Sequence, residues 1–418
     1  MSARTFAAST TCFALVTAFA LPASAQQELA QALSRLPPVF GEAQFHPRDG
    51  MEDIYAVARQ FGVSASSIYN ANVGDLQEGH ELLLIPTEHI APMHSTDGLV
   101  VNLSERGLYY YEHGKPVRRF PVAIGMKGWE TPTGEFTIVN KAKNPTWFPP
   151  SWALAEKPVP PGPDNPLGDR WMGLSIKGYG IHATNAPWTV GLYVSHGCMR
   201  MYPEHARDLY QLVRVGTPVR IIYERLVLGY CLEKATVFMS YHPDPYQIAL
   251  LSPDRVSRIL EQYHIETISD MQAIEQALAR PTSLPVPIAG SSITVHVNGA
   301  PLKLALGPTS RNGDWLVPAK PLATALRAKL EFAPQQDYFI LSRDNERIFY
   351  SPGCTEAVVN SQLIPLAIAP QVAAGHPFIP LKATVNLLGG SVGWDEPQQT
   401  LHVWDPWSLG SFPRSDSN

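Results

Sequence analysis

Gly180-Ile181-His182-Ala183-Thr184-Asn185, with Ser195-His196-Gly197-Cys198-Met199-Arg200 a short way on, is the stretch from which the rest of the chain is read. Cysteine attacks a carbonyl as its thiolate. With an ordinary pKa of about 8.5 it needs a neighbouring imidazole, a positive charge or oriented backbone donors to do so near neutrality. His182 is the candidate base. Gly197 permits a tight turn that exposes sulfur and aims backbone N–H groups at a developing oxyanion. Ser195 suits holding that turn, and His196 is either part of it or purely structural. A single cysteine is more often inert packing and a single histidine a satisfied polar group, so the context carries the reading. On residues alone the chemistry is acyl transfer through a thiol. His182, His196 and Cys198 are also good zinc donors, which leaves a zinc hydrolase as an alternative.

Working outward, Val100 and Asn102, residues 108–111 and residues 120–124 read as strands of a meander, with turns at Glu105-Arg106-Gly107 and His113-Gly114. Thr131-Pro132-Thr133-Gly134 turns into a further strand over 136–139. The expected sheet is mostly antiparallel. Residues 144–168 form a long proline-rich loop, the kind that serves as a lid or binding wall. No carboxylate stands at a diagnostic spacing to orient His182, although Asp164, Asp169 and Glu204 are within the region.

Over residues 97–223 the chain resembles the L,D-transpeptidase catalytic family, the YkuD domain. Its signature of a histidine followed by Ser-His-Gly-Cys and Arg or Asn stands here as His182 and Ser195-His196-Gly197-Cys198 with Arg200. Val101-Asn102-Leu103, Leu108-Tyr109-Tyr110-Tyr111, Thr131-Pro132-Thr133-Gly134, Asn144-Pro145-Thr146-Trp147 and Val215-Gly216-Thr217-Pro218-Val219 extend the match. The resemblance implies that Cys198 is the acylated nucleophile and His182 the general base and acid, its imidazole oriented by a backbone carbonyl, with the Gly197 and Cys198 N–H groups as candidate oxyanion donors. Arg200 fits recognition of a substrate carboxylate or local bracing, an arginine fork suiting both. Thr184, Asn185 and Trp188 are further substrate-binding candidates. Trp147, Trp152 and Trp171 also lie near the site loops, where packing is the simpler role. Ala183 departs from the family's glycine after the histidine, and its methyl group is expected to narrow the site slightly. The implied substrate is the peptidoglycan stem, attacked at the carbonyl of its third residue, diaminopimelate in the related proteins. The acceptor is another stem, a wall-linked lipoprotein, a D-amino acid or water. No cofactor and no metal are implied. The alternatives are a carboxypeptidase or endopeptidase with the same thiol, and a non-catalytic wall-binding scaffold.

Length and composition frame this region. The 418 residues exceed one small core, and 45% hydrophobic with 17% charged residues suits packed domains rather than disorder. A net charge of −5 gives no cationic field for nucleic acid or an anionic membrane surface. Residues 1–25 read as a secretory signal, with Arg4, an apolar run over 13–21 and Ala23-Ser24-Ala25 as the cleavage site. That run is shorter than the roughly 20 residues of a spanning helix, so no integral segment is expected after cleavage. The expected address is exported, periplasmic or wall-associated. Cleavage removes Cys12 and leaves Cys198, Cys231 and Cys354, an odd number, so at least one thiol stays unpaired within the chain. Cys198 is the expected free one, and Cys231 and Cys354 either pair or are inert.

Residues 42–88 read as β/helix/helix/β, with helices over 51–62 and 64–72 and a strand Leu82-Leu83-Leu84-Ile85 stopped by Pro86. They resemble a LysM glycan-binding module through Arg48-Asp49-Gly50, Phe61-Gly62-Val63, Asn72, Gly79 and Ile85-Pro86, with Asp49-Gly50 inverted from the usual order. Residues 224–287 read as a helical connector, from cap signals at Ser252-Pro253 and Ser269-Asp270. Residues 288–404 repeat at a constant offset of 62: Val297-Asn298 matches Val359-Asn360, Val317-Pro318 matches Ile379-Pro380, and Phe332 matches Trp394. That two-copy pattern resembles the copper amine oxidase N-terminal-like domain, which implies a spacer or adhesion role and no copper. Residues 405–418 read as a flexible tail. The expected whole is multidomain and mainly β: an antiparallel, sandwich-like catalytic domain between a small α+β LysM-like domain and an α+β repeat domain.

Overall fold

The computed structural model describes residues 30–47, 52–72, 82–93, 96–150, 153, 157–248, 253–332 and 338–406. The signal reading, Arg48-Asp49-Gly50, Gly79 and Trp152 lie outside the described residues. Near the N-terminus, strands Gln44–Pro47 and Leu82–Ile85 pair antiparallel and enclose α1 (Ile54–Gln60) and α2 (Ala65–Ala71). Both helices start on side-chain caps: Asp53 accepts the Tyr55 N–H at 3.0 Å and Ser64 that of Ser67 at 3.2 Å. Ile54, Val57, Ala58, Ile68, Leu83 and Ile85 fill a small core of their own.

The central domain is built on one eight-stranded sheet: β1 (Gly98–Asn102), β2 (Gly107–Glu112), β3 (Lys115–Pro121), β4 (Gly134–Lys143), β5 (Arg170–Leu174), β6 (Gly180–His182), β7 (Met199–Arg200) and β8 (Pro218–Ile222), in the order β7-β6-β5-β4-β8-β1-β2-β3. It is mixed rather than antiparallel throughout, because β6 runs parallel to β7 and β8 parallel to β1. The two parallel pairs place residues from distant turns side by side. A single curled sheet with α3 (Pro203–Leu212) packed across β5 replaces the expected sandwich-like form. Leu99, Val101, Ile138, Met172, Ile181, Met199, Ala206 and Leu209 share its core.

The segment read as a helical connector also carries a three-stranded antiparallel sheet, Leu226–Cys231, Thr236–Tyr241 and Val286–Gly290, beside helices Pro253–Gln262 and Met271–Ala279. Its hairpin escapes notice because no Asn-Gly or Asp-Gly marks the turn: Ala235 adopts φ +46° instead. The connector's core runs without a break into Leu306, Leu316, Ile368 and Phe378 of the repeat domain and Leu33 and Leu36 upstream.

In the repeat domain Asp314–Pro318 leads into helix Ala319–Ala325, and His376–Pro380 into helix Leu381–Leu387. Val317 pairs with Ile379 across antiparallel strands, so equivalent residues of the two copies face each other about a local two-fold. Left-handed backbone recurs at the same offset, at Asn298 and Asn360 (both φ 49°) and at Asn312 and Ala374 (φ 48° and 50°). Of the residues read as a tail, 407–418 lie outside the described residues, and residue 405 is part of the repeat domain. Asp405 is buried, its carboxylate 2.9 Å from Arg343 Nη1 and its N–H donating to Asn298 at 2.8 Å.

Candidate active site

His182 ends β6, pairs with Trp171 on one side and runs in register with Arg200 of β7 on the other. The Trp171 and His182 rings stack at 5.8 Å and 27°, and Trp171 is itself held by its indole N–H donating to Asn140 at 2.8 Å. His182 Nδ1 lies 2.5 Å from the Ala183 carbonyl. A carbonyl only accepts, so Nδ1 carries the hydrogen and Nε2 keeps its lone pair. Burial pushes the imidazole down to about 4, against the Ala183 carbonyl and with the Arg200 charge. It is therefore neutral at pH 7 and able to accept a proton.

Cys198 follows a turn in which Gly197 takes φ +105°, and a methyl group on Gly197 would sit 2.5 Å from the Tyr179 ring. Glycine is required there by both backbone and space. The Gly197 N–H donates to Ser195 Oγ at 3.1 Å, and that hydroxyl donates to the Cys198 carbonyl at 2.5 Å. Of the two N–H groups expected to face an oxyanion, that of Gly197 is thus already engaged within the turn. The Cys198 thiol donates to the Gly178 carbonyl at 3.4 Å. Burial pushes the thiol pKa up, while the Gly180 backbone and the Arg200 charge pull it back.

Cys198, His182, Ser195, His196 and Arg200 line one cleft of about 410 Å³. Its walls come from Trp147, Phe148 and Pro150 of the long loop and from Leu167, Trp171 and Gly178. Asn165 staples that loop, its side-chain amide donating to the Pro145, Val159 and Pro160 carbonyls at 2.8, 3.1 and 3.1 Å. Arg200 is half-buried and has no carboxylate partner among the described residues. His196 packs edge-on to Trp129 at 4.9 Å. Among the described residues no three His, Cys, Asp or Glu side chains converge as a metal site requires. The Ala183 methyl is buried in the core against Gly168, outside the cleft lining.

Thr184, Asn185 and Trp188 stand apart from that lining. Thr184 is buried and accepts the Ala186 N–H at 3.0 Å, Asn185 donates to the Asp164 carbonyl at 3.0 Å, and Trp188 is exposed on a short 3-10 turn. The three cysteines among the described residues are free, Cys231 half-buried and Cys354 exposed. Sequence reading placed Thr131 in a turn and gave it no part in the site, yet its hydroxyl donates to the Gly197 carbonyl at 2.8 Å; Gly178, which accepts from the thiol, was not singled out.

Comparison with known proteins bears on this site. The L,D-transpeptidase catalytic domain family matches residues 96–221, and the copper amine oxidase N-terminal domain family matches residues 296–403. The chain is 36% identical over 230 residues to the probable L,D-transpeptidase YcfS of Escherichia coli strain K12, covering 50% of this chain and 71% of that protein. It belongs to the L,D-transpeptidase family. A putative L,D-transpeptidase YkuD of Bacillus licheniformis is 31% identical over 176 residues, which is 41% of this chain and 93% of that one. The NMR structure of the catalytic domain from Enterococcus faecium L,D-transpeptidase aligns over 31% of this chain and 98% of its own, with 25% identity and a TM-score of 0.26. In this L,D-transpeptidase, cleft, thiol and neutral imidazole all fall within the matched segment.

Proposed function

We propose that the protein is an exported peptidoglycan L,D-transpeptidase in which Cys198 is acylated by a tetrapeptide stem. The observation that carries this is the convergence of the free Cys198 thiol, the neutral His182 imidazole and the Arg200 guanidinium, which no carboxylate answers among the described residues, on one cleft. His182 Nε2 takes the thiol proton, sulfur bonds to the carbonyl carbon of the third stem residue, and the π pair moves to oxygen. Collapse of that adduct breaks the C–N bond, His182 returns the proton to the departing amine, and D-alanine leaves behind a thioester. An acceptor amine of a second stem or a wall-linked lipoprotein then repeats the sequence, releasing the thiol. Arg200 receives a stem carboxylate, and the apolar wall of Trp147, Phe148 and Pro150 excludes water from the thioester. Third-residue specificity for diaminopimelate, export through residues 1–25, and glycan binding by residues 42–88 as a LysM-like module belong to the same reading. The βααβ pairing of Gln44–Pro47 with Leu82–Ile85 around α1 and α2 supports the last of these.

The test is product analysis of purified disaccharide-tetrapeptide with wild type and Cys198→Ala. Wild type is expected to release D-alanine and give cross-linked dimer, and Cys198→Ala neither. Tripeptide with no dimer makes the enzyme a carboxypeptidase toward this substrate, and equal products from both proteins exclude the thiol mechanism.

A further inference from the structure

We infer that Tyr246, carried by the segment that follows the catalytic domain, is a positioning residue for the Cys198 N–H and acts through Thr131; this rests on the thiol acyl transfer proposed above. Tyr246 lies beyond the family match, which ends at residue 221. It nevertheless packs inside the catalytic core, 3% exposed, with its ring stacked on Tyr223 at 5.4 Å and 21°. Its hydroxyl accepts the Thr131 N–H at 3.1 Å. Thr131 is buried, accepts the Gly125 N–H at 3.0 Å and donates to the Gly197 carbonyl at 2.8 Å.

The last bond is the consequential one. A trans peptide is planar, so the Gly197 carbonyl and the Cys198 N–H point in opposite directions from one rigid unit. Whatever fixes the carbonyl aims the N–H. Ser195 already consumes the Gly197 N–H and the Cys198 carbonyl, so the Cys198 N–H is the backbone group of this turn left for an oxyanion. Thr131 sets its direction, and Tyr246 sets Thr131.

Tyr246 is fixed in its turn. Its N–H donates to the Tyr223 hydroxyl at 3.1 Å, and that hydroxyl donates to Asp244. Asp244 also accepts the Ile248 N–H at 3.2 Å and lies 3.4 Å from Arg225. Gln247 next door accepts from Lys127 at 2.9 Å, clamping the same loop that leads to Thr131. The connector thereby completes the nucleophile turn rather than merely trailing it.

The experiment uses the full chain and two probes of Cys198: 4-nitrophenyl acetate, which develops an oxyanion, and iodoacetamide, which does not. Peptide mass mapping follows Cys198, with exposed Cys354 as the internal reference. Tyr246→Phe keeps the stacked ring and removes the acceptor, Thr131→Val removes the hydroxyl at equal bulk, and Thr131→Ser restores it. Losing an oxyanion donor costs about 10²- to 10³-fold, so acylation is expected to slow about 10²-fold in Thr131→Val and about tenfold in Tyr246→Phe. Alkylation is expected to stay within about twofold, and Thr131→Ser to recover most of the acylation rate. Parallel loss of both reactions, or loss of neither, overturns the inference. Neither probe contains a stem peptide, so failure of wild type to release D-alanine counts against the proposed function and leaves this comparison standing.

Discussion

At the residue scale the cleft holds a neutral imidazole and a cation. His182 is stripped of solvent, so it stays uncharged and can receive a proton. Arg200 keeps its charge in the same cleft without a protein carboxylate to answer it among the described residues. If a stem carboxylate is that answer, Arg200→Ala should raise KM for a tetrapeptide by about 10- to 100-fold, the range of a charge-assisted hydrogen-bond pair, with a smaller change in kcat. Arg200→Lys, which keeps the charge but not the fork, should fall between. A brace would behave otherwise, lowering kcat and the melting temperature while KM held, and steady-state kinetics with a thermal melt separates the two. Cys198 and Arg200 draw notice in the sequence because they share one short run with Ser195, His196 and Gly197, and His182 because it stands upstream at the position of the family's histidine; the fold brings all three to one cleft. Trp171 stacked on His182 was not legible in the sequence, since that contact exists only through the β5–β6 register. Thr131 escaped for the same reason: its role depends on which carbonyl the fold brings to its hydroxyl.

At the element scale, the α1–α2 unit is seated on α3 and the loop before β7. Arg59 reaches Glu204 through two bonds of 3.0 and 2.9 Å, Ser66 donates to the Gly191 carbonyl at 3.0 Å, and Tyr202 to that of Val63 at 3.1 Å. The ion pair is roughly half exposed and so worth ~1 kcal/mol or less. Close packing matters more. Gly191 adopts φ +89°, and a methyl group there would lie 2.2 Å from Ser64 Cβ. Gly191→Ala is expected to lift the unit off, seen as lost hydrogen-exchange protection in α1 and α2, whereas Arg59→Ala leaves protection nearly intact. Unchanged protection in Gly191→Ala would show that this contact does not hold the unit. The helices and the Leu82–Ile85 strand were readable from apolar spacing and caps. Their docking was not, because Gly191 looks like any loop glycine until its neighbour is known. The parallel pairs β6–β7 and β8–β1 were hidden likewise, joining strands with no local turn between them.

At the scale of the whole molecule, the N-terminal segment, the catalytic domain and the connector meet on a buried ionic cluster. Glu105 accepts from Tyr109 and Arg119 at 2.8 and 2.9 Å and lies 3.3 Å from His89. His242 comes in from the connector, with both ring nitrogens buried and no hydrogen-bond partner among the described residues. Burial pushes His89 and His242 each down to about 4; Arg119 adds to this for both and Arg106 for His242, while Glu105 opposes it. His182 stands at about 4 as well. The sign follows from proton counts. Between about 6.5, the unfolded value, and about 4 the unfolded chain binds more protons than the folded one, so stability is complete above that window and declines as pH falls through it. Glu105 acts further down the scale. Despite its burial, Arg119 and His89 hold its carboxyl well below the usual range, so its contribution is present above the unfolded carboxylate value and is lost only in stronger acid. Each histidine adds a slope of up to ~1.4 kcal/mol per pH unit inside the window. His242→Phe removes one such proton together with two unsatisfied nitrogens, and replacing an unpaired buried polar group by an apolar one of similar shape costs little. Urea unfolding of the variant should therefore match or exceed wild type at pH 7 and show a shallower decline between pH 6.5 and 4.5. An unchanged slope would mean that His242 does not titrate on unfolding and that the junction is not held together by keeping it neutral.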